Sequence, residues 1–413
     1  MSRKMKDSGI EWIGKIPDDC KILQLRLTVN NINEKNNPIK FNNILSLTNT
    51  KGVIPYGEKG NQGNVSKEDV SQYKLAYKDT IIINSMNLKI GSVGYCNYNG
   101  CVSPVYYVLK NKRDYNLKFI NYIFQSDFQK YLGKYGKGIL EIREKISMYD
   151  VLHSYIPIPN IYVQENIANY LDKKVSKIDE TIENNKRSIE LLEEYKKSVI
   201  NKSVISKNNW KKVRIKNISY LKGRIGWQGL KTNDYKEEGP YLITGTDFEN
   251  GKINWESCVH ISEERYEEDS NIHINNDDLL ITKDGTIGKL AIVEYMPYKA
   301  TLNSGVMLIR INNEHLKYIN KYLYYVLQSD IFKSWYESNQ KGNATIKHLY
   351  QEQFYNFQFY LPDIDEQKNI FNKLDNVIKI IDTVINYRQQ IIEKLEEYKK
   401  SLIYEVVTGK KEV

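Results

Sequence analysis

The chain has 413 residues, 41% apolar and 27% charged, a globular composition with length for about three domains. Its net charge of +9 leaves phosphate-bearing partners open, although charge of this size also serves solubility. Four cysteines (Cys20, Cys96, Cys101 and Cys258) show no paired C-x-x-C spacing, and a chain long enough to bury a sizeable core needs no disulfide framework, so reduced thiols are the simplest reading.

The amino terminus, Met1 to Asp7, lacks the apolar core of a signal peptide, and no apolar run approaches the ~20 residues that span a bilayer. The expected location is the cytoplasm, with no membrane partner. Residues 1–158 carry 23 basic and 14 acidic side chains, so the positive excess sits on this first segment. Within it, Asp79 to Asn84 reads as a buried strand followed by a polar loop, and the pair Gly91/Gly94 marks a tight turn or a close backbone approach. Tyrosine, at 33 residues, far outnumbers Phe and Trp, which suits wet interfaces and equally fits a compositional bias.

Pro159 to Val204 is a long segment free of Gly and, after its first residue, of Pro, and it recurs as Pro362 to Val407 at a constant offset of 203 residues, each proline marking a helix start and Gly409 the end of the second helix. Roughly half the positions are identical, including Leu192-Glu193-Glu194-Tyr195-Lys196-Lys197-Ser198 against Leu395-Glu396-Glu397-Tyr398-Lys399-Lys400-Ser401. The apolar positions Ile167, Leu171, Val175, Ile178, Ile182, Ile189, Leu192 and Val199 are spaced by three, four or seven residues, with Asn185 as a polar interruption in the middle, and so form a coiled-coil seam. Ile370, Leu374, Ile378, Ile381, Ile385, Ile392, Leu395 and Leu402 repeat it, with Arg388 at the polar position. A polar residue there fixes register, or it lies at a solvated edge. Two similar helices joined by a returning domain predict antiparallel packing, with Leu171 near Leu402, Val199 near Leu374 and Asn185 near Arg388.

Residues 205–361 repeat the skeleton of the first segment. Asp278 to Thr282 is a second buried strand, and Gly285/Gly288 is better read as a turn than as a phosphate nest. Lys118-Phe119-Ile120-Asn121 parallels Lys317-Tyr318-Ile319-Asn320 at an offset of 199, and Gln125-Ser126-Asp127 parallels Gln328-Ser329-Asp330 at 203. The shift predicts a helix one turn longer in the second copy. The acidic run Glu263-Glu264-Arg265-Tyr266-Glu267-Glu268-Asp269 would repel phosphate and should face away from nucleic acid. The fold class is therefore α+β (mixed α/β), with globular segments 1–158 and 205–361 alternating with helical segments 159–204 and 362–413. The helices pair as an antiparallel coiled coil in a pseudo-twofold internal repeat.

Catalytic motifs are missing. The sequence has no G-x-x-x-x-G-K-[ST] loop, no G-x-G-x-x-G after a strand and no Asn-Pro-Pro-Tyr type motif. Cys258 and His260 are two candidate ligands, too few to close a tetrahedral metal site. The grouping Pro362-Asp363, Glu366 and Lys368 has nuclease letters, but it falls at a helix start, where acidic side chains favour the dipole.

The alternation of variable segment and repeated helix resembles the specificity subunit of type I restriction–modification enzymes. Pro362 to Asp375 matches that family's P-x-x-x-E-Q-x-x-I-x-x-x-L-D opening. The first copy keeps Pro159, Gln164, Ile167, Leu171 and Asp172 but has Val163 in place of Glu, and Cys20 stands where Trp210 stands in the second half. Lys6 to Pro17, Asn84 to Asn87 with Ile90 to Gly94, and Thr282 to Gly288 also resemble the family.

The resemblance implies two target recognition domains, each reading half of an interrupted double-stranded DNA site. It also implies helices that set the spacing and dock two methyltransferase subunits, with restriction/motor subunits in the full complex. The chain would be non-catalytic and without cofactor; S-adenosylmethionine, Mg and ATP would belong to the partners. The alternatives are a two-helix protein scaffold without DNA binding and an enzyme with an unrecognised site. Loops mixing Lys or Arg with Gly, Asn, Thr and aromatics can contact phosphates and reach base edges. On that chemistry the DNA-binding candidates in the first domain are Asn49, Lys51, Asn61, Gln62, Asn87, Lys89, Lys134, Lys137 and Arg143. In the second domain they are Lys222, Arg224, Trp227, Gln228, Lys231, Thr246, Lys283, Thr286, Lys341, Asn343 and Thr345.

Overall fold

The computed structural model describes residues 4–413 except 49–51, 60–68, 87, 89–91, 113, 137–144, 206–208, 225–229, 231–233, 313–317 and 341–347. The chain divides into two compact units, Met1–Lys186 with Gln389–Val413 and Arg187–Arg388. Each unit thus holds one globular segment and half of each long helix, a grouping that the linear order of segments conceals.

The first unit is built on a four-stranded antiparallel sheet, in the order Val29–Ile32, Tyr106–Asn111, Thr80–Asn84, Val93–Cys96. The second repeats it as Ser219–Gly223, Val306–Ile311, Leu279–Thr282, Leu290–Ile292. The two apolar runs predicted as strands are the third strands in these orders, and Ile81–Ile83 and Leu279–Ile281 are fully buried. In each globular segment the last strand, which leads into the long helix, pairs back with an early strand. Lys21–Gln24 lies antiparallel to Tyr155–Ile158, and Lys211–Arg214 to Gln358–Leu361. The chain therefore enters each long helix beside an early strand of its own segment.

The long helices run Ile161–Val204 and Ile364–Val407. Asn160 and Asp363 cap them, their side chains accepting the Val163 and Glu366 backbone N–H groups at 3.1 and 2.8 Å. Asp363 and Glu366 are thereby accounted for as helix-start residues. Gly409, at φ +72°, stops the second helix as the sequence predicts.

In the first unit Ile167, Leu171, Val175, Ile178 and Ile182 share a core with Leu402, Ile403, Val406 and Val407. In the second, Ile200 and Val204 share one with Leu374, and Val199, Ile370 and Ile378 pack against it. The start of one helix therefore lies with the end of the other, which makes the pair antiparallel, with the predicted Leu171–Leu402 and Val199–Leu374 groupings. Lys399 Nζ lies 2.6 Å from Asp179 in the first unit, and Lys196 Nζ lies 2.6 Å from Asp382 in the second. These two ion pairs are exchanged by the 203-residue repeat. Asn185 is buried, and its amide donates to the Thr181 carbonyl of its own helix at 2.8 Å.

Two buried glutamines join helix to domain. Gln164 donates to the Pro159 carbonyl (2.8 Å) and accepts the Asn116 backbone N–H (2.9 Å). Gln367 does the same with Pro362 (2.9 Å) and the Ile319 N–H (2.9 Å). Asn116 and Ile319 are already 203 residues apart, so the longer-helix expectation needs correction. The helices that follow, Leu117–Phe124 and Asn320–Gln328, have 8 and 9 residues. The real difference is in the next helix, 6 residues at Phe128–Gly133 against 10 at Asp330–Asn339. The match between Lys118-Phe119-Ile120-Asn121 and Lys317-Tyr318-Ile319-Asn320 is a coincidence of composition.

The two departures of the first half are one event. Trp210 Nε1 donates to Glu366 at 2.8 Å, so the residue pair in the second half is a hydrogen-bonded pair. The first half has Cys20 and Val163 at the same two places and needs no such bond. Cys20 is buried, and Val163 packs against its core.

Candidate nucleic-acid interface

Five of the eleven second-domain candidates are described, and their segments converge at one end of the four-stranded sheet. Lys222, half-buried, lies on the strand that ends at Gly223, whose N–H is bonded to Gln351 (3.2 Å). The Lys283 ammonium donates to the Arg224 carbonyl (3.3 Å), and the Lys283 carbonyl accepts the Leu349 N–H (2.9 Å). Asp284 Oδ1 and His348 Nδ1 are 2.5 Å apart.

Thr246 belongs to a turn held by buried Asp247, whose carboxylate accepts from Thr244 N (2.7 Å) and Ser257 Oγ (3.0 Å). Gly245 in that turn sits so close to Thr282 that an added Cβ would be 2.7 Å from its Cγ2. Thr286 is exposed in the connection from Thr282 to Lys289, where Gly285 and Gly288 have φ +67° and +84°. That is the turn the sequence predicts. Trp227, Gln228, Lys231, Lys341, Asn343 and Thr345 lie outside the described residues.

Arg224 departs from its expected role at the surface. It is 1% exposed, its Nε donates to the Leu302 carbonyl (2.8 Å), and Glu268 is 4.0 Å from its NH1. Burial pulls its pKa below the ordinary arginine value, with Glu268 opposing. This guanidinium holds the domain together and is not offered outward. The acidic run forms the short helix Glu263–Glu267 and the residues after it. Glu263 and Glu267 meet Lys299 at 2.8 and 3.7 Å, and Arg265 meets Glu268. Part of its negative charge is thus compensated inside the domain.

In the first domain Asn49, Lys51, Asn61, Gln62, Asn87, Lys89, Lys137 and Arg143 lie outside the described residues. Next in sequence to the segments with Asn87 and Lys89 and with Lys137 and Arg143, the described residues carry the same device as the second domain. The Ile146 N–H donates to the Ser85 carbonyl at 3.1 Å, as that of Leu349 does to Lys283, and both apolar residues are buried. Gly94 proves to be within a strand, tight against Leu47 and Val53, where a Cβ would meet atoms at 3.1 Å. Lys134 is exposed, ion-paired with Glu11 and 5.8 Å over the Tyr131 ring.

Reasoning from sequence missed the Asp284–His348 pair and Tyr350, which is 57% exposed beside His348. Histidine spacing gave no signal for it, since the partners are 64 residues apart. Cys258 and His260 turn to different partners, Asn254 O and Gly239 O, and burial raises the Cys258 thiol pKa. Among the described residues no group of three or more His, Cys, Asp or Glu could hold a metal, and no helix is long and apolar enough to cross a membrane.

The repeated frame with its two loop sets coincides with a family match. The type I restriction modification DNA specificity domain is matched twice, over residues 28–194 and 207–397. The chain belongs to this family. It is 25% identical to the putative type I restriction enzyme MjaX specificity subunit of Methanocaldococcus jannaschii, over 96% of this chain and 95% of that one. It is 18% identical to the type I restriction enzyme EcoBI specificity subunit of Escherichia coli, over 99% and 90%. Two solved structures share the fold at 14% identity, each over 95% of this chain and 98% of the other. One comes from work on complex assembly and conformational transition of the type I R-M system (TM-score 0.73), and the other is the HsdS subunit from Thermoanaerobacter tengcongensis (TM-score 0.54).

Proposed function

We propose that each unit reads one half of a bipartite, asymmetric double-stranded DNA site through the loops at the end of its sheet. The single observation that supports this most is the recurrence of one backbone bond, Ile146 to Ser85 and Leu349 to Lys283, at the base of loops that otherwise share little sequence. A constant base with changed loops is how one frame presents two specificities. The loop side chains contact base edges, while lysines such as Lys222 and Lys283 contact phosphate. The acidic run Glu263–Asp269 faces away from the DNA.

The helix pair sets the distance between half-sites and docks two methyltransferase subunits, with restriction/motor subunits joining in the full complex. Catalysis, S-adenosylmethionine, Mg and ATP reside in those partners, and this chain acts without a cofactor, in the cytoplasm. A scaffold without DNA binding would leave the paired loop bases without a role. Methylome sequencing of a host expressing this chain with its partner methyltransferase tests the reading. One bipartite adenine-methylation motif should appear and vanish when the gene is disrupted; an unchanged methylome refutes it.

A further inference from the structure

The seam of the helix pair has two flanks of opposite character. In heptad terms Ile182 and Ile189 are a positions, Asn185 and Leu192 d positions, and the 203-residue repeat carries these letters to Ile385, Ile392, Arg388 and Leu395. The ion pairs Lys196–Asp382 and Lys399–Asp179 each join an a residue to an e residue, so they mark the e flank. Reversing one helix against the other brings the two e flanks to one face and the g and neighbouring c positions of both to the opposite face.

In the second unit that opposite face carries Leu191, Tyr195, Ile380 and Tyr387, which are 58, 56, 64 and 63% exposed, with half-buried Val377 and Val384 between them. None of these six is charged. Shifted by 203 residues, the first unit presents Lys394 for Leu191, Lys174 for Val377 and Lys177 for Ile380, with Thr181 and Asn184 for Val384 and Tyr387. All five are exposed, while Tyr195 keeps its counterpart as Tyr398, 50% exposed, and Ile391, 45% exposed, stands where the second unit has Ser188. Over this stretch one unit offers a face without charge and the other a face with three ammonium groups, on a backbone that is otherwise repeated.

We propose that the two methyltransferase seats are unequal: the second unit holds its subunit by apolar burial, the first by charge. The inference rests on the reading above, that methyltransferase subunits dock on the helices. Over this stretch the second face suits the apolar side of a helix laid across two others and carries no cation for a phosphate backbone, Lys202 and Lys373 lying farther along the same flank. Identical partners bring the same surface to both faces. At the first unit that surface meets three exposed ammonium groups, whose attraction is screened by salt, whereas apolar burial is not. The assembly therefore passes through a state with one methyltransferase, retained on the second unit.

The test is to co-purify the full chain with its methyltransferase and measure the subunit ratio by native mass spectrometry and sedimentation. Salt is raised from about 0.1 M to about 1 M NaCl, which shortens the screening length from ~10 to ~3 Å. The expected ratio falls from two methyltransferases to one. Leu191→Glu with Ile380→Glu, both at exposed positions, should remove the salt-resistant subunit. Lys174→Glu with Lys177→Glu and Lys394→Glu should leave one methyltransferase even at low salt. Circular dichroism checks that each variant stays folded.

Loss of both subunits together, or an unchanged salt profile in the Leu191/Ile380 variant, overturns the inference while leaving methyltransferase docking intact. A chain that binds no methyltransferase at any salt overturns the docking assignment itself. A dimer of the chain alone that Leu191→Glu and Ile380→Glu abolish would make a second copy the occupant, and would also overturn the proposal.

Discussion

Replacing Gln367 by Met tests how the long helix is locked to its domain. Gln367 is fully buried and makes two hydrogen bonds, to the Pro362 carbonyl at 2.9 Å and from the Ile319 N–H at 2.9 Å. Methionine has nearly the same volume and flexibility, so cavity and overpacking terms stay small. What remains is one buried carbonyl and one buried N–H without their partner, each costing about 1–3 kcal/mol, for a total of roughly 2–6 kcal/mol. The natural assay is native-state hydrogen exchange at the Ile319 amide, because a chain of two units need not unfold in one step. The variant should raise that amide's exchange sharply and leave Asn116, the equivalent in the first unit, protected. Gln164→Met should do the reverse, and the two effects should add within about 0.5 kcal/mol because they share no partner. If Ile319 keeps its protection, the glutamine is only packed there and the reasoning fails.

Arg310→Met should be among the most damaging single changes. Arg310 clasps the Asp278 carboxylate at 2.7 and 2.6 Å, and Asp278 is 2% exposed, so the loss should cost about 3–5 kcal/mol in denaturant unfolding of the second unit. Glu366→Val should cost roughly 1.5–3 kcal/mol by releasing Trp210, whereas Val163→Glu beside Cys20 should gain nothing in the same measurement. Lys222→Gln with Lys283→Gln should lower the salt slope of DNA binding by about one for each phosphate no longer neutralised, with specificity retained, as titration at several salt concentrations would show. Inserting four residues between Lys173 and Ser188 lengthens the helix by roughly 6 Å, so the methylome motif should gain roughly one to two base pairs of spacer.

The helices were legible because their information is local and repeated. The seam, the prolines at the starts and Gly409 are read from spacing alone, and both buried strands stand out as apolar runs. The glutamine bridges were invisible for the opposite reason, since the Gln367 partner N–H lies 48 residues away in the globular segment. The pairing of Trp210 with Glu366 was likewise hidden, so Cys20 and Val163 looked like separate departures. The misplaced helical turn shows the weakness of short matches: four similar letters near Ile319 suggested an offset that the Gln367 hydrogen bond contradicts. At the interface the loops were found as regions, but Arg224 was indistinguishable by type from its lysine neighbours. Only burial separates a guanidinium facing Leu302 O from one facing solvent.

The central claim is that each globular segment carries its own half-site. Residues 205–361 should therefore be exchanged for the corresponding segment of a family member of different specificity. The hybrid is then expressed with the methyltransferase, and the methylome sequenced. The account predicts a new bipartite motif in which one half and the spacer are retained and the other half is replaced. A motif unchanged by the exchange, or changed in both halves, would contradict it.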